Sequence, residues 1–188
     1  MRIVFLGPPG AGKGTQAARL AEHLGILHLS TGEMFRDAAQ RKTEVGLLAQ
    51  EYFTSGRLVP DDVVIGIVEE RLAAPDCAAG CLLDGFPRTL EQAAALDRIL
   101  AEKGTPIDIV LELTVSDEEL MKRMLARGRV DDTREAIAKR MEEYAALTRP
   151  LTAYFRERGL VTEIEGQGTM EDVFDRVIAG LASFRLTG

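Results

Sequence analysis

The chain has no tryptophan, only three tyrosines, and only two cysteines and two histidines in 188 residues. Cys77 and Cys81 stand as a C-x-x-x-C pair, which cannot alone complete a four-ligand zinc site, and an intracellular chain rarely keeps a disulfide. Both read as ordinary thiols, and no zinc is expected. No apolar run approaches the roughly 18 residues that cross a bilayer. The opening Met1–Leu6 segment is too short for a signal-peptide core and reads as a first strand, so the expected location is cytoplasmic. Positive charge is also scarce. The net charge of −7 gives the chain no general attraction for nucleic acid or an anionic membrane. Lysine is scarcest, five residues against eighteen arginines. Genomic base composition could produce that bias, and so could repeated recognition of phosphate by planar guanidinium forks. Position decides between them.

The chain is long enough to bury a core and short enough for one domain. Short apolar runs alternate with helix-like stretches, the rhythm of an α/β fold with a parallel sheet. Expected strands are Arg2–Leu6, Ile26–Leu29, Cys81–Asp84, Ile107–Leu113 and Val161–Glu165. Helical spacing of apolar residues marks Pro60–Leu72, Leu90–Leu100 and Thr169–Phe184. Ser116-Asp117-Glu118-Glu119 fits a capping box and predicts a helix from Asp117 to Ala126. Asp132-Thr133-Arg134-Glu135 predicts a second start, opening a long helix towards Thr148. No repeat, low-complexity tract or Ser/Pro-rich linker interrupts the chain.

Gly7-Pro8-Pro9-Gly10-Ala11-Gly12-Lys13-Gly14-Thr15 follows the first strand and opens a helix through Gln16–Leu24. Strand, glycine-rich loop, lysine and helix in this order make an anion site. Main-chain N–H groups converge on phosphate oxygens, the helix N-terminus adds its dipole, and Lys13 reaches the outer phosphates. The general pattern has Ser or Thr directly after the lysine to hold magnesium, and here that place is Gly14, with Thr15 one residue later. A Mg2+ ion bound here should therefore keep more of its water, which it gives up reluctantly. Asp84, ending an apolar strand, is the carboxylate placed to receive those waters, although it could also cap the following turn.

The loop resembles that of the nucleoside monophosphate kinases, and three further segments agree in the same order. They are Leu29-Ser30-Thr31-Gly32-Glu33-Met34-Phe35-Arg36, then Asp84-Gly85-Phe86-Pro87-Arg88, then Arg123, Arg127, Arg129 and Arg140. The resemblance spans essentially the whole chain. It implies a P-loop three-layer α/β/α fold with a five-stranded parallel sheet. It divides residues 1–188 into a core (1–29, 60–125, 133–188), an insert for the monophosphate (30–59) and a short lid (126–132). Long-lid relatives carry a substantial insertion between Arg127 and Arg129, sometimes with four metal-binding cysteines. This chain resembles the short-lid adenylate kinases.

The resemblance also implies roles. Gly10, Ala11, Gly12, Lys13, Gly14 and Thr15 would hold ATP phosphates, with Arg127. Arg123 would stack on the ATP adenine, and the backbone at Gly168 would touch it. Arg36 and Arg88 would clamp the acceptor's phosphate, with Gly85, Phe86 and Pro87 alongside, while Arg129 and Arg140 reach the transferring group. Thr31 and Gln92 would surround an adenine, beside backbone contacts from Arg57, Leu58 and Val59. In the related pyrimidine kinases alanine usually stands at the Thr31 place and Gln92 is not matched, so AMP is the expected acceptor and UMP or CMP the alternative. Glu33 replaces a commoner aspartate. The implied reaction is ATP plus AMP giving two ADP with Mg2+, in a monomer. Its catalytic residues would be Lys13, Arg88, Arg129 and Arg140. A nucleotide switch with no acceptor is the reading from another class. It has no use for Arg36 and Arg88, and no N-K-x-D segment is present to read guanine. His23 and His28 read as structural.

Overall fold

The apolar runs form five strands: β1 (Arg2–Leu6), β2 (Leu27–Ser30), β3 (Cys81–Asp84), β4 (Ile109–Thr114) and β5 (Val161–Glu165). The computed structural model describes residues 1–128 and 132–187. All strand pairs are parallel, in the order β2-β3-β1-β4-β5. Strand side chains alternate between two buried faces, so helices must cover both. Ile3 and Phe5 face α1 (Lys13–Leu24), α6 (Asp117–Arg127) and α9 (Met170–Thr187), packing with Leu20, Leu120 and Val177. Val4 and Leu6 face the other way. Their cluster draws on α2 (Thr31–Gln40), α3 (Glu44–Ser55), α4 (Asp61–Ala73), α5 (Leu90–Glu102) and α8 (Pro150–Arg156), through Phe35, Val68, Leu96 and Phe155. Fully burying each such side chain contributes about 1.5–3 kcal/mol. The three-layer expectation therefore holds.

Register positions the site. Asp84 pairs with Phe5 on one side and Ser30 on the other. The carboxyl ends of β1, β2 and β3 thus lie level, and ligands of open α/β sheets bind outside such ends. Helices α2 and α3 approach backbone to backbone: a Cβ on Gly46 would stand 2.2 Å from the Ala38 carbonyl carbon.

Three expectations need correction. Ser116 does precede α6, yet its side chain makes no capping bond and instead accepts from Gln167 Nε2. Its expected partner Glu119 pairs with Arg123 at 2.8 Å, a charge contact that outcompetes a neutral cap. The second helix is capped by Thr133, which accepts from the Ala136 N–H, while Asp132 is taken by two arginines. Nor does that helix run unbroken to Thr148. Helix α7 (Arg134–Glu143) gives way to a π-helical turn over Tyr144–Thr148. Pro150 follows, with no N–H and a ring that clashes one turn back, and the chain widens there before α8.

Candidate active site

The phosphate loop leaves β1 and Lys13 opens α1. The lysine turns back across its own loop, Nζ donating to Gly7 O at 2.6 Å and Pro8 O at 2.9 Å. One of its three ammonium N–H groups is left for a ligand. Burial lowers its pKa to about 8; Asp84 opposes this, while Arg88 and Arg127 add to it.

Asp84 closes β3 and is 8% exposed. Burial alone would raise its pKa, but His28, Lys13 and Arg88 more than offset that and hold it below the usual carboxylate range. His28 Nε2 stands 3.6 Å from Asp84 Oδ2, within ion-pair reach but beyond a good hydrogen bond. Gly14, where the general loop pattern has Ser or Thr, faces this carboxylate. A Cβ there would come within 3.4 Å of Oδ2.

The Asp84–Arg88 turn carries a cis Phe86–Pro87 peptide. Gly85 has φ 80°, and a Cβ on it would meet Thr31 Oγ1 at 2.8 Å. The turn thus needs glycine for both its backbone conformation and its packing. Arg88 is held at three points. Its N–H donates to Gln92 Oε1 at 2.7 Å, its carbonyl accepts from Thr148 Oγ1 at 2.8 Å, and its Nε donates to Gly85 O at 2.8 Å. The Nη end of the fork is left to the cavity. Burial, with repulsion from Arg140 and Arg36, lowers its pKa despite Asp84.

Arg123 and Arg127 come from α6. Arg123, held by Glu119, donates to Gly166 O at 3.0 Å, so it spans from the phosphate loop's side to the turn after β5. Arg127 and Arg140 converge on Asp132, at 2.7 and 2.8 Å. Although Asp132 is almost buried, the two guanidinium groups hold its carboxyl below the usual range. Arg140 also donates to Phe53 O at 3.1 Å, and Glu143 accepts from the Leu58 N–H at 3.1 Å. Two bonds from α7 therefore reach the segment that contains α3.

Most of these groups line one cavity of about 650 Å3. It takes in Gly10, Gly12, Lys13, Gly14, Thr15, Arg36, Arg57, Leu58, Asp84, Gly85, Pro87, Arg88, Arg123, Arg127 and Arg140, with Glu33 at its wall. Thr31, Val59 and Gln92 line a smaller recess that shares Leu58, Gly85 and Arg88 with it. The Thr31 hydroxyl donates to Gly85 O at 3.0 Å, so towards a ligand it offers only a lone pair. Ala11 and Phe86 are buried outside both spaces, and Gly168 lies in the exposed turn before α9. Arg129 lies outside the described residues. Sequence reasoning passed over Asp61, Glu143 and Thr148, and read His28 only as structural and Asp132 only as a helix start. Each acts by holding another residue, which leaves no spacing signal.

The adenylate kinase family model matches residues 5–160. The chain is 49% identical over 181 residues to the adenylate kinase of Mycolicibacterium paratuberculosis, covering 96% of this chain and 99% of the relative. It is 51% identical over 183 residues to that of Nitrobacter hamburgensis, covering 92% and 88%. It is 47% identical over 184 residues to that of Parvibaculum lavamentivorans, covering 94% and 90%.

Proposed function

The chain belongs to the adenylate kinase family and transfers the terminal phosphoryl group of ATP reversibly to AMP, giving two ADP; from that premise we propose how its own residues do so. One observation carries the assignment. In a chain of net charge −7, Lys13, Arg36, Arg88, Arg123, Arg127 and Arg140 gather on one cavity around Asp84. Two phosphate-bearing substrates meeting end to end need that arrangement.

The loop N–H groups and Lys13 hold the ATP phosphates with Arg127, and Arg123 supports the adenine beside the Gly168 backbone. Arg36 and Arg88 hold the AMP phosphate. A phosphate oxygen of AMP attacks the terminal phosphorus of ATP, whose bond to the bridging oxygen breaks. No proton needs to move, so the protein supplies alignment and cations, with Arg129 and Arg140 beside the transferring group. AMP's base enters the recess at Thr31 and Gln92, beside the backbone of Arg57, Leu58 and Val59. UMP and CMP are not favoured.

Asp84 suits a hydrated Mg2+: it is held ionised at the cavity wall, facing Gly14 instead of a hydroxyl ligand. Held there through water, the ion would supply positive charge that offsets the charge on the ATP phosphates. Among the described residues no group of three His, Cys, Asp or Glu could cage a metal, which favours binding through water. Zinc has no part in this reading, since Cys77 and Cys81 are free and buried, with Cys81 at the opposite end of β3 from Asp84. We read residues 30–59 as closing over AMP, in a cytoplasmic monomer; of the short lid expected at 126–132, residues 129–131 lie outside the described residues. Among the described residues no helix is long and apolar enough to cross a membrane.

Lys13 sets a pH limit. Its pKa is lowered to about 8 in the empty protein, so the ammonium loses its proton as pH rises through that value. kcat/KM for ATP, which reports the free enzyme, should fall above pH 8, while kcat falls only at higher pH because bound phosphates favour the cation. The sign for stability is opposite. Between about 8 and 10.5 the unfolded chain binds more protons, so the empty fold gains stability with pH there. A kcat/KM profile flat to pH 10 would count against Lys13 as the phosphate cation.

Acceptor choice is tested by Thr31→Val and Gln92→Ala in a coupled assay with AMP, CMP, UMP and GMP. Losing one buried polar partner costs roughly 1–3 kcal/mol. That corresponds to a drop of about 5- to 150-fold in kcat/KM for AMP, with discrimination against CMP and UMP narrowed. Unaltered AMP kinetics in both variants would remove the base assignment.

A further inference from the structure

Gln92 is 1% exposed, and both ends of its amide are already engaged. Oε1 accepts from the Arg88 N–H at 2.7 Å, and Nε2 donates to Asp61 Oδ1 at 2.7 Å. A side-chain amide can turn over, exchanging its donor and acceptor ends, and its neighbours decide which way it sits. Here one neighbour is a main-chain N–H, which can only donate, and the other a carboxylate, which only accepts. Asp61 is in turn held, its Oδ2 accepting from Thr89 Oγ1 at 2.7 Å, while Thr89 caps α5 by accepting from the Gln92 N–H. The carboxylate comes from the first residue of α4, immediately after the segment that contributes Leu58 and Val59 to the recess.

The orientation matters because Gln92 lines the recess with Thr31, Val59 and Val64. One Nε2–H and one Oε1 lone pair remain after the bonds above. An adenine edge offers a ring-nitrogen acceptor beside the 6-amino donor, which complements an amide fixed in this sense. A 6-oxopurine offers a ring N–H beside an oxygen acceptor, the inverse pattern, and complements only the turned amide. We propose that Asp61 is a specificity-determining positioning residue, whose carboxylate locks the Gln92 amide in the sense that accepts 6-aminopurine and rejects 6-oxopurine monophosphates.

This rests on the reading of Gln92 as the base-facing side chain, and the test separates the two. Asp61→Asn keeps the shape but can donate as well as accept, leaving the Arg88 N–H as the sole constraint. The variant should lose about tenfold in kcat/KM for AMP, mainly through KM. IMP, the probe of the inverse edge, should be used no worse than before, so the AMP-to-IMP ratio narrows while KM for ATP holds. A merely structural role would depress both acceptors alike and leave the ratio where it was, and that result overturns the proposal. If Gln92→Ala also leaves the ratio unmoved, the base reading fails with it. If only Asp61→Asn leaves it unmoved, the lock alone fails. Should the variant not fold, the wild-type protein still decides. Its Gln92 side-chain amide should show a downfield proton protected from solvent exchange without ligand, and two rapidly exchanging protons would refute the lock.

Discussion

Lys13→Met should reduce turnover on the order of 10³-fold or more and leave the fold standing. Removing one preorganised donor at developing charge costs about 10²–10³ in rate, and Lys13 provides a donor and a full positive charge together. Stability is set by two opposed effects. The ammonium is penalised by burial, which methionine relieves. Against that, Gly7 O and Pro8 O lose their donor, at about 1–3 kcal/mol for each carbonyl that water cannot reach. The melting temperature should therefore move by no more than about 2–4 °C, the shift that 1 kcal/mol makes in a domain of this size. Single-turnover assay with ATP and AMP, alongside circular dichroism, checks both halves. Turnover within about tenfold of wild type, well short of what a lost donor costs, would mean the loop does not hold the transferred phosphate.

Arg88→Lys is the second large effect, and it separates charge from shape. The substitution keeps the cation but loses the planar fork and the Nε that binds Gly85 O. A lysine cannot hold that carbonyl and grip a phosphate with two parallel bonds at once. kcat/KM for AMP should fall on the order of 10²–10³-fold, while KM for ATP changes little. The contrast between substrates is the measurement that counts. An equal loss for ATP and AMP would mean that Arg88 supports the cavity as a whole rather than one phosphate.

The fold was readable because its strands are short, apolar and separated by helical periods. β1, β3 and β5 begin and end where the residue pattern places them. The shifts in β2 and β4 are of one or two residues, at ends where turn geometry rather than hydrophobicity decides. The failures share a cause. Glu119 and Asp132 look like helix-start residues in sequence, but arginines hold them instead, Arg123 one turn along the same helix for Glu119, and Arg127 of α6 with Arg140 of α7 for Asp132. A charged partner a few ångströms away outweighs a local cap; spacing offers Glu119 both pairings without ranking them, and the pairing at Asp132 depends on how α6 and α7 meet. The cavity's arginines were legible because they sit in motifs. Asp61 and Thr148 were not, since the bonds that tie them to the site reach residues 28 to 60 positions away.

The cation-lined cleft has a thermodynamic side. Burial is the main reason that Lys13 and Arg88 have lowered pKa values in the empty protein, and repulsion from the neighbouring arginines adds to it. Polyphosphate discharges that repulsion, so part of the affinity for nucleotide is strain released within the enzyme. Dissolved salt then acts in two opposite directions. Counter-ions screening the cleft steady the empty enzyme and weaken its hold on nucleotide. Occupancy stabilises the fold by mass action, and the fraction unfolded determines how much protein escapes proteolysis. A cell drained of adenine nucleotides therefore holds this enzyme in its least durable form, and one rich in them preserves it.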